Sequence, residues 1–166
     1  MHPKYFGDSF DIVKRFFCAE LMKLGYVVVM QPMFTSDWEG REEEFFQFVG
    51  ISRNPETSSR TAVLFDPDTG VHERPSVSHL SLRQLSEATH NYHLSFSFDQ
   101  SFSRRYAPSE MMQRKLVALK ELGTFGMYYD SHARFLFASA REEPIDELRR
   151  HLVALGMPSS RLVLGV

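Results

Sequence analysis

Asp66, Asp68, Asp99 and Asp130 each stand just past a hydrophobic run, and they are the groups of this chain best placed to do chemistry. The runs are Ala62-Val63-Leu64-Phe65 before Asp66-Pro67-Asp68-Thr69-Gly70, Leu94-Ser95-Phe96-Ser97-Phe98 before Asp99-Gln100-Ser101, and Phe125-Gly126-Met127-Tyr128-Tyr129 before Asp130-Ser131-His132. In an open α/β sheet, ligands sit beyond the carboxyl ends of the strands. Two carboxylates separated by Pro67 suit a hard cation such as magnesium or manganese, which takes oxygen ligands and keeps several waters. The spacing therefore predicts Asp66, Asp68 and Asp130 as metal ligands. Asp66, Asp99 and His132 are the catalytic set, with His132 as the general base that activates water against a phosphodiester. Arg104 and Arg105 would clamp phosphates. Asp66, Asp68, Asp99 and His132 are expected to face one cleft, with Asp130 and Arg104 at its margin.

The same residues have plainer uses. Asp66 caps a turn, strand-end aspartates are solvated, His132 sits in a hairpin turn, and the arginines make surface ion pairs. Asp8 and Asp11 flank a helix start, where capping and the helix dipole account for both. Lys14 would point weakly toward the same end of the sheet. A Ser101–His132–Asp99 triad is disfavoured because no Gly-x-Ser-x-Gly elbow is present. His72, His79, His90 and His93 form a loose cluster without zinc-type spacing.

The elements that must position these groups can be read from periodicity. Asp11 to Leu24 is helical, with Val13, Phe16 or Phe17, Leu21 and Leu24 inward and Gly25 as the stop. Tyr26 to Met30 is a strand buried on both faces. Asp37 to Val49 reads as one helix, and Thr61 to Phe65 as a second buried strand. Leu80 to Ala88 is a short helix capped by Ser78 or Ser81, and Tyr92 to Phe98 is the third strand. Ser109 caps a helix over 110–122. Phe125 to Tyr129 and Arg134 to Ser139 flank a four-residue turn, too short for a crossover helix, so they pair antiparallel. Pro144 opens a last helix with Ile145, Leu148, Leu152 and Leu155 inward. Alternation of this kind implies one α/β domain over residues 1–166, with a three-layer, Rossmann-like, mainly parallel sheet ending in an antiparallel hairpin. Trp38, Phe16, Leu64, Phe96 and Leu136 are expected to be buried.

Two stretches carry a resemblance. Tyr5-Phe6-Gly7-Asp8-Ser9-Phe10-Asp11-Ile12-Val13-Lys14 is similar to the N-terminal segment of some bacterial RNA adenine-N6 methyltransferases. Val63-Leu64-Phe65-Asp66-Pro67-Asp68-Thr69-Gly70 stands where those enzymes have a catalytic Asp-Pro-Pro-aromatic motif. It more closely resembles uncharacterised bacterial proteins with Asp-Pro-Asp-Asn/Thr-Gly after a hydrophobic strand. The resemblance implies a methyltransferase-like fold. Asp68 replaces the second proline, no aromatic follows it, and no Gly-x-Gly-x-Gly follows a strand, so S-adenosylmethionine is not the expected cofactor.

Composition bounds the rest. The 166 residues, 43% apolar with 15 phenylalanines, suffice for one ordinary core, and the net charge of -2 gives no global basic field. The single cysteine, Cys18, lies among phenylalanines and reads as a buried, inert thiol in a reducing compartment. No apolar run approaches the ~20 residues of a membrane span, and no apolar stretch after Met1-His2-Pro3-Lys4 makes a signal peptide. A cytoplasmic protein without a membrane partner is expected. Two functions remain: a magnesium-dependent hydrolase of phosphate esters, acting on nucleic acid or a nucleotide, or a degenerate methyltransferase-like fold without a complete S-adenosylmethionine site, acting as a binding or accessory module.

Overall fold

The computed structural model describes residues 3–56, 58–72, 79–102 and 105–165. Six strands form the main sheet: β1 (Val27–Pro32), β2 (Thr61–Asp66), β5 (Leu94–Phe98), β6 (Phe125–Tyr129), β7 (Phe135–Ser139) and β8 (Leu162–Leu164). Their order across the sheet is β1-β2-β5-β7-β6-β8. The first three are parallel neighbours. β7 pairs antiparallel with β5 and with β6, and β8 pairs antiparallel with β6. Four of the six strands thus run one way, and the described residues form a mixed α/β fold. The expected 125–139 hairpin is present, with Met127 opposite Phe137. It is not the end of the sheet, because β8 extends the sheet beyond it. Two strands of two residues each, β3 (Val71–His72) and β4 (Leu80–Ser81), make a separate ladder.

Helices cover both faces. Side chains alternate along a strand, so Ala62 and Leu64 of β2 face one way and Val63 and Phe65 the other. The first face packs against α1 (Ser9–Lys23), α2 (Glu42–Val49) and α5 (Glu142–Ala154) through Phe17, Leu21, Phe45, Val49, Leu148 and Leu152. The second face packs against α3 (Leu82–Ala88) and α4 (Pro108–Glu121) through Leu82, Leu85, Met112, Leu116 and Leu119. Every residue of β2, β5 and β7 is buried, so the strands carry mostly apolar side chains, and the buried hydroxyls of Ser95 and Ser139 donate to the backbone carbonyls of Leu85 and His93.

Trp38, Leu64, Phe96 and Leu136 are buried as expected, whereas Phe16 is 36% exposed and Phe17 is its buried neighbour. The two lie 100° apart on the helix, and only Phe17 shares the stripe of Leu21. Burying it contributes roughly 1.5–3 kcal/mol. The single helix expected over 37–49 is broken. A 3-10 turn at Ser36–Trp38 leads to Gly40, whose φ of 78° is left-handed, and α2 starts afterwards. α4 opens on Pro108 with Ala107 as its cap, not on Ser109. The fixed φ of proline suits that first position. Ser81 caps α3 in a full capping box with Gln84, and Ser78 lies outside the described residues.

Candidate functional site at the carboxyl edge

Asp66 ends β2 on the side of Ala62 and Leu64, so alternation turns it toward α1. Asp8 caps that helix, accepting from the backbone N–H of Phe10 (2.9 Å) and Asp11 (3.2 Å). One turn on, Lys14 reaches back to the strand end. Its Nζ lies 2.8 Å from Asp11 Oδ1 and 2.7 Å from Asp66 Oδ1. All three side chains are almost fully buried. Asp11 Oδ2 also accepts from the Gly7 N–H at 2.9 Å. Asp66 Oδ2 is buried and has no hydrogen-bond partner among the described residues. Burial alone would lower Lys14, but Asp66 and Asp11 more than reverse it and hold the ammonium above the ordinary lysine value. Burial pushes Asp66 up, and the Lys14 charge offsets only part of that rise.

A cavity of about 290 Å³ opens over this cluster. Its polar wall is Asp8, Asp11, Lys14, Asp66, Asp68 and Gln100, and its apolar wall is Tyr5, Phe10, Pro67 and Phe98. Phe10 and Phe98 have ring centroids 4.8 Å apart, and His132 packs against Phe10 with centroids 5.4 Å apart. The structure therefore gathers Asp66 and Asp68 on one cleft and brings His132 onto an aromatic that lines it.

Asp99 departs from the expected gathering. It continues the alternation of Ser95 and Ser97, so it turns to the opposite face of the sheet from Asp66 and meets α4. Its Oδ2 accepts from Lys115 Nζ and Tyr128 Oη, each at 2.6 Å. Its Oδ1 accepts from the N–H of Val71 (3.0 Å) and Ser101 (3.0 Å), with Ser101 Oγ at 2.6 Å. Burial would raise Asp99, but Lys115 and these hydrogen bonds hold its carboxyl below the ordinary value. Burial and the Asp99 charge push Tyr128 well above the ordinary phenol range. A carboxylate with both oxygens engaged is a structural anchor, not a group waiting for substrate. Ser101 touches Asp99, but His132 is on the other face, so the triad does not assemble.

Asp130 is held within the hairpin region, where Arg134 Nε donates to its Oδ1 at 3.1 Å. Arg105 is exposed, and Arg104 lies outside the described residues. The histidines disperse. His72 and His79 stack with centroids 4.0 Å apart, whereas His93 receives a hydrogen bond from Arg141 at 3.0 Å. Among the described residues, no three His, Cys, Asp or Glu side chains group to hold a metal ion.

The turn Asp66-Pro67-Asp68-Thr69-Gly70 joins the two buried pairs. It leaves the Lys14 face and arrives at Val71, whose N–H caps Asp99. Gly70, at φ 96°, passes so close that a Cβ there would stand 2.5 Å from Asp99 Oδ1 and 2.6 Å from Gln100 N. Gly70→Ala is expected to destabilise the fold by at least ~1–3 kcal/mol through strain and displacement of Asp99. Urea denaturation followed by the fluorescence of Trp38, the one tryptophan, measures it. An unchanged midpoint would refute the close approach.

Lys115 and Tyr128 are the partners of the Asp99 anchor that sequence reasoning missed. Lys115 reads as part of a solvated Arg114-Lys115 pair, yet it lies three residues after Met112 and four before Leu119, on the buried stripe. That spacing is the signal. Comparison of the chain with protein-family models, with curated proteins and with solved structures finds no match.

Proposed function

We propose that the chain is a binding domain on a Rossmann-like, methyltransferase-type scaffold without a complete S-adenosylmethionine site, and that it works at the carboxyl-edge cleft over Asp66. The strand order supports the scaffold reading, with β7 inserted antiparallel between β5 and β6. No Gly-x-Gly-x-Gly follows any strand to bring backbone close to a cofactor. The observation that carries the site is Asp66 Oδ2, a buried acceptor without a partner among the described residues, on a residue that lines a cavity of about 290 Å³. Leaving a buried acceptor unsatisfied costs roughly 1–3 kcal/mol, which a ligand donor would recover.

The Lys14 ammonium already stands between Asp11 and Asp66, in the place a divalent ion would take. Asp66, Asp68 and Asp130 are therefore a poor fit to magnesium or manganese in this arrangement. Among the described residues of the cleft one ammonium, already shared by Asp11 and Asp66, stands against four aspartates, which repel a phosphate. Phosphoester hydrolysis on nucleic acid or a nucleotide ranks second for that reason.

Thermal shift of the wild type and of Asp66→Asn tests the reading. The probes are adenosine, small amines, small carboxylates, S-adenosylhomocysteine and manganese chloride. At least one organic probe is expected to raise the melting temperature of the wild type but not of the variant. A ligand at ~100 times its Kd adds about 2.7 kcal/mol. A shift with manganese alone, lost in Asp66→Asn, would put metal-assisted hydrolysis first. A shift with S-adenosylhomocysteine would restore the cofactor. No shift with any probe would remove the cleft as the working site.

A further inference from the structure

We infer that the cleft takes an alkylammonium ion, the end of a diamine or the side chain of a lysine; this rests on the cleft being the working site. Four aspartates and one lysine, Lys14, line it. Several of their oxygens are already engaged. Asp8 Oδ1 caps α1, Asp11 serves Gly7 and Lys14, and Asp66 Oδ1 serves Lys14. Asp66 Oδ2, on a residue 1% exposed, is a buried oxygen without a partner among the described residues, and it asks for a donor. A neutral donor would meet the hydrogen bond only. An ammonium meets the bond and the excess negative charge together.

The opposing effect is repulsion by Lys14, whose Nζ is 2.7 Å from the other oxygen of the same carboxylate. A second ammonium is tolerated because, among the described residues that line the cleft, four aspartates stand against one lysine, and Asp68 lies at the exposed side. The apolar wall fits the rest of such a ligand. Phe10 and Phe98 supply carbon surface for methylenes and ring faces that attract cations. The molecule already uses this combination once. Lys14 Nζ sits between two carboxylates and 5.7 Å from the centroid of Phe98. An anionic ligand has the opposite charge complementarity and would face the aspartates unpaired.

Calorimetric titration at low salt tests the inference. The probes are 1,4-diaminobutane, its neutral analogue 1,4-butanediol, and Nα-acetyl-lysinamide. Both amines are expected to bind saturably and the diol is not. Tighter binding of the diamine marks a free amine as the natural ligand, and tighter binding of the lysinamide marks a protein side chain. Asp66→Asn should weaken amine binding about tenfold or more, since it removes the charge and turns an N–H₂ toward the ligand. Asp68→Asn, at an exposed position, should weaken it roughly two- to fivefold, and it serves if Asp66→Asn does not fold. Equal binding of diol and diamine, or amine binding unchanged in both variants, overturns the inference. Absence of amine binding also overturns it. In that case, Asp66-dependent protection by adenosine or a carboxylate would still leave the cleft as the working site; without it, both readings fall.

Discussion

Replacing Lys14 by methionine is expected to destabilise the fold by about 3–5 kcal/mol, the usual cost of stripping the counter-ion from a buried charge. Methionine fills nearly the same volume, so packing against Phe45 and Phe98 changes little. What changes is electrostatic. Asp11 and Asp66 would remain buried with no ammonium between them, and one of them must take up a proton to persist. That escape sets the ceiling on the cost. A second substitution, Asp66→Leu on the Lys14→Met background, should recover part of the loss, because Asp11 keeps its bond from Gly7. The pH dependence has a defined sign. The folded value of Lys14 is raised, so its contribution is fully present below the unfolded lysine value and is lost as pH rises through the folded one. The wild type should therefore lose stability on the alkaline side where Lys14→Met does not. Urea midpoints of the three proteins across alkaline pH check this. A midpoint in Lys14→Met within experimental error of the wild type would show that the buried cluster carries no net stabilisation.

Much of the scaffold was legible because its signals are local. The run at 62–65 is apolar throughout, that at 94–98 alternates Leu94, Phe96 and Phe98 with two small serines, and the four residues between Tyr129 and Arg134 exclude a crossover. β8 and the β3–β4 ladder were not legible. Three residues and two residues carry no periodicity, and their pairing is set by tertiary contact. The site was legible in part. Alternation places Asp66 with Leu64, whereas Asp99 is out of phase with Phe96 and Phe98. The topological argument that strands end on one edge ignores this parity. Both carboxylates do reach the carboxyl edge, but on opposite faces. Of their lysines, Lys14 reads in the sequence only as pointing weakly toward that end of the sheet, and Lys115 only as part of a solvated pair. Lys14 and Lys115 are charged residues on buried stripes, and composition assigns such residues to the solvent.

Asp99→Ala is the second substitution with a large expected effect, about 3–5 kcal/mol. It deprives Lys115, Tyr128, Ser101 and the Val71 N–H of their shared acceptor and leaves the Lys115 ammonium buried. Lys115 keeps the Val71 carbonyl at 2.7 Å, which softens the loss without neutralising the charge. Asp99 is fully buried in the sheet, so no rearrangement at the surface compensates. Here the sign is the reverse of that at Lys14. The folded value of Asp99 is depressed, so its contribution is present above the unfolded carboxylate value and lost as pH falls through the folded one. Melting temperature against pH should fall steeply below the ordinary carboxylate range in the wild type and more gently in Asp99→Ala. Parallel curves would mean that Asp99 has the same proton affinity folded and unfolded. The ligand response separates the two faces. Asp99→Ala should leave binding at the Asp66 cleft measurable wherever the variant is folded.

The insertion of β7 between β5 and β6 has a consequence for how the chain is made. β1, β2 and β5 neighbour one another in the order of synthesis, so each can be joined by the next as it leaves the ribosome. β6 has no such berth. It emerges before β7, yet β7 is the strand that connects it to β5. Until residue 139 is made, the antiparallel edge of β5 stays open, and an open edge is where a nascent strand pairs wrongly. The four-residue turn answers this timing, since a short turn lets β6 and β7 zip together and dock as a unit. Closure of the sheet is thus a late event in translation, and truncation anywhere before β7 leaves β5 as an exposed apolar edge.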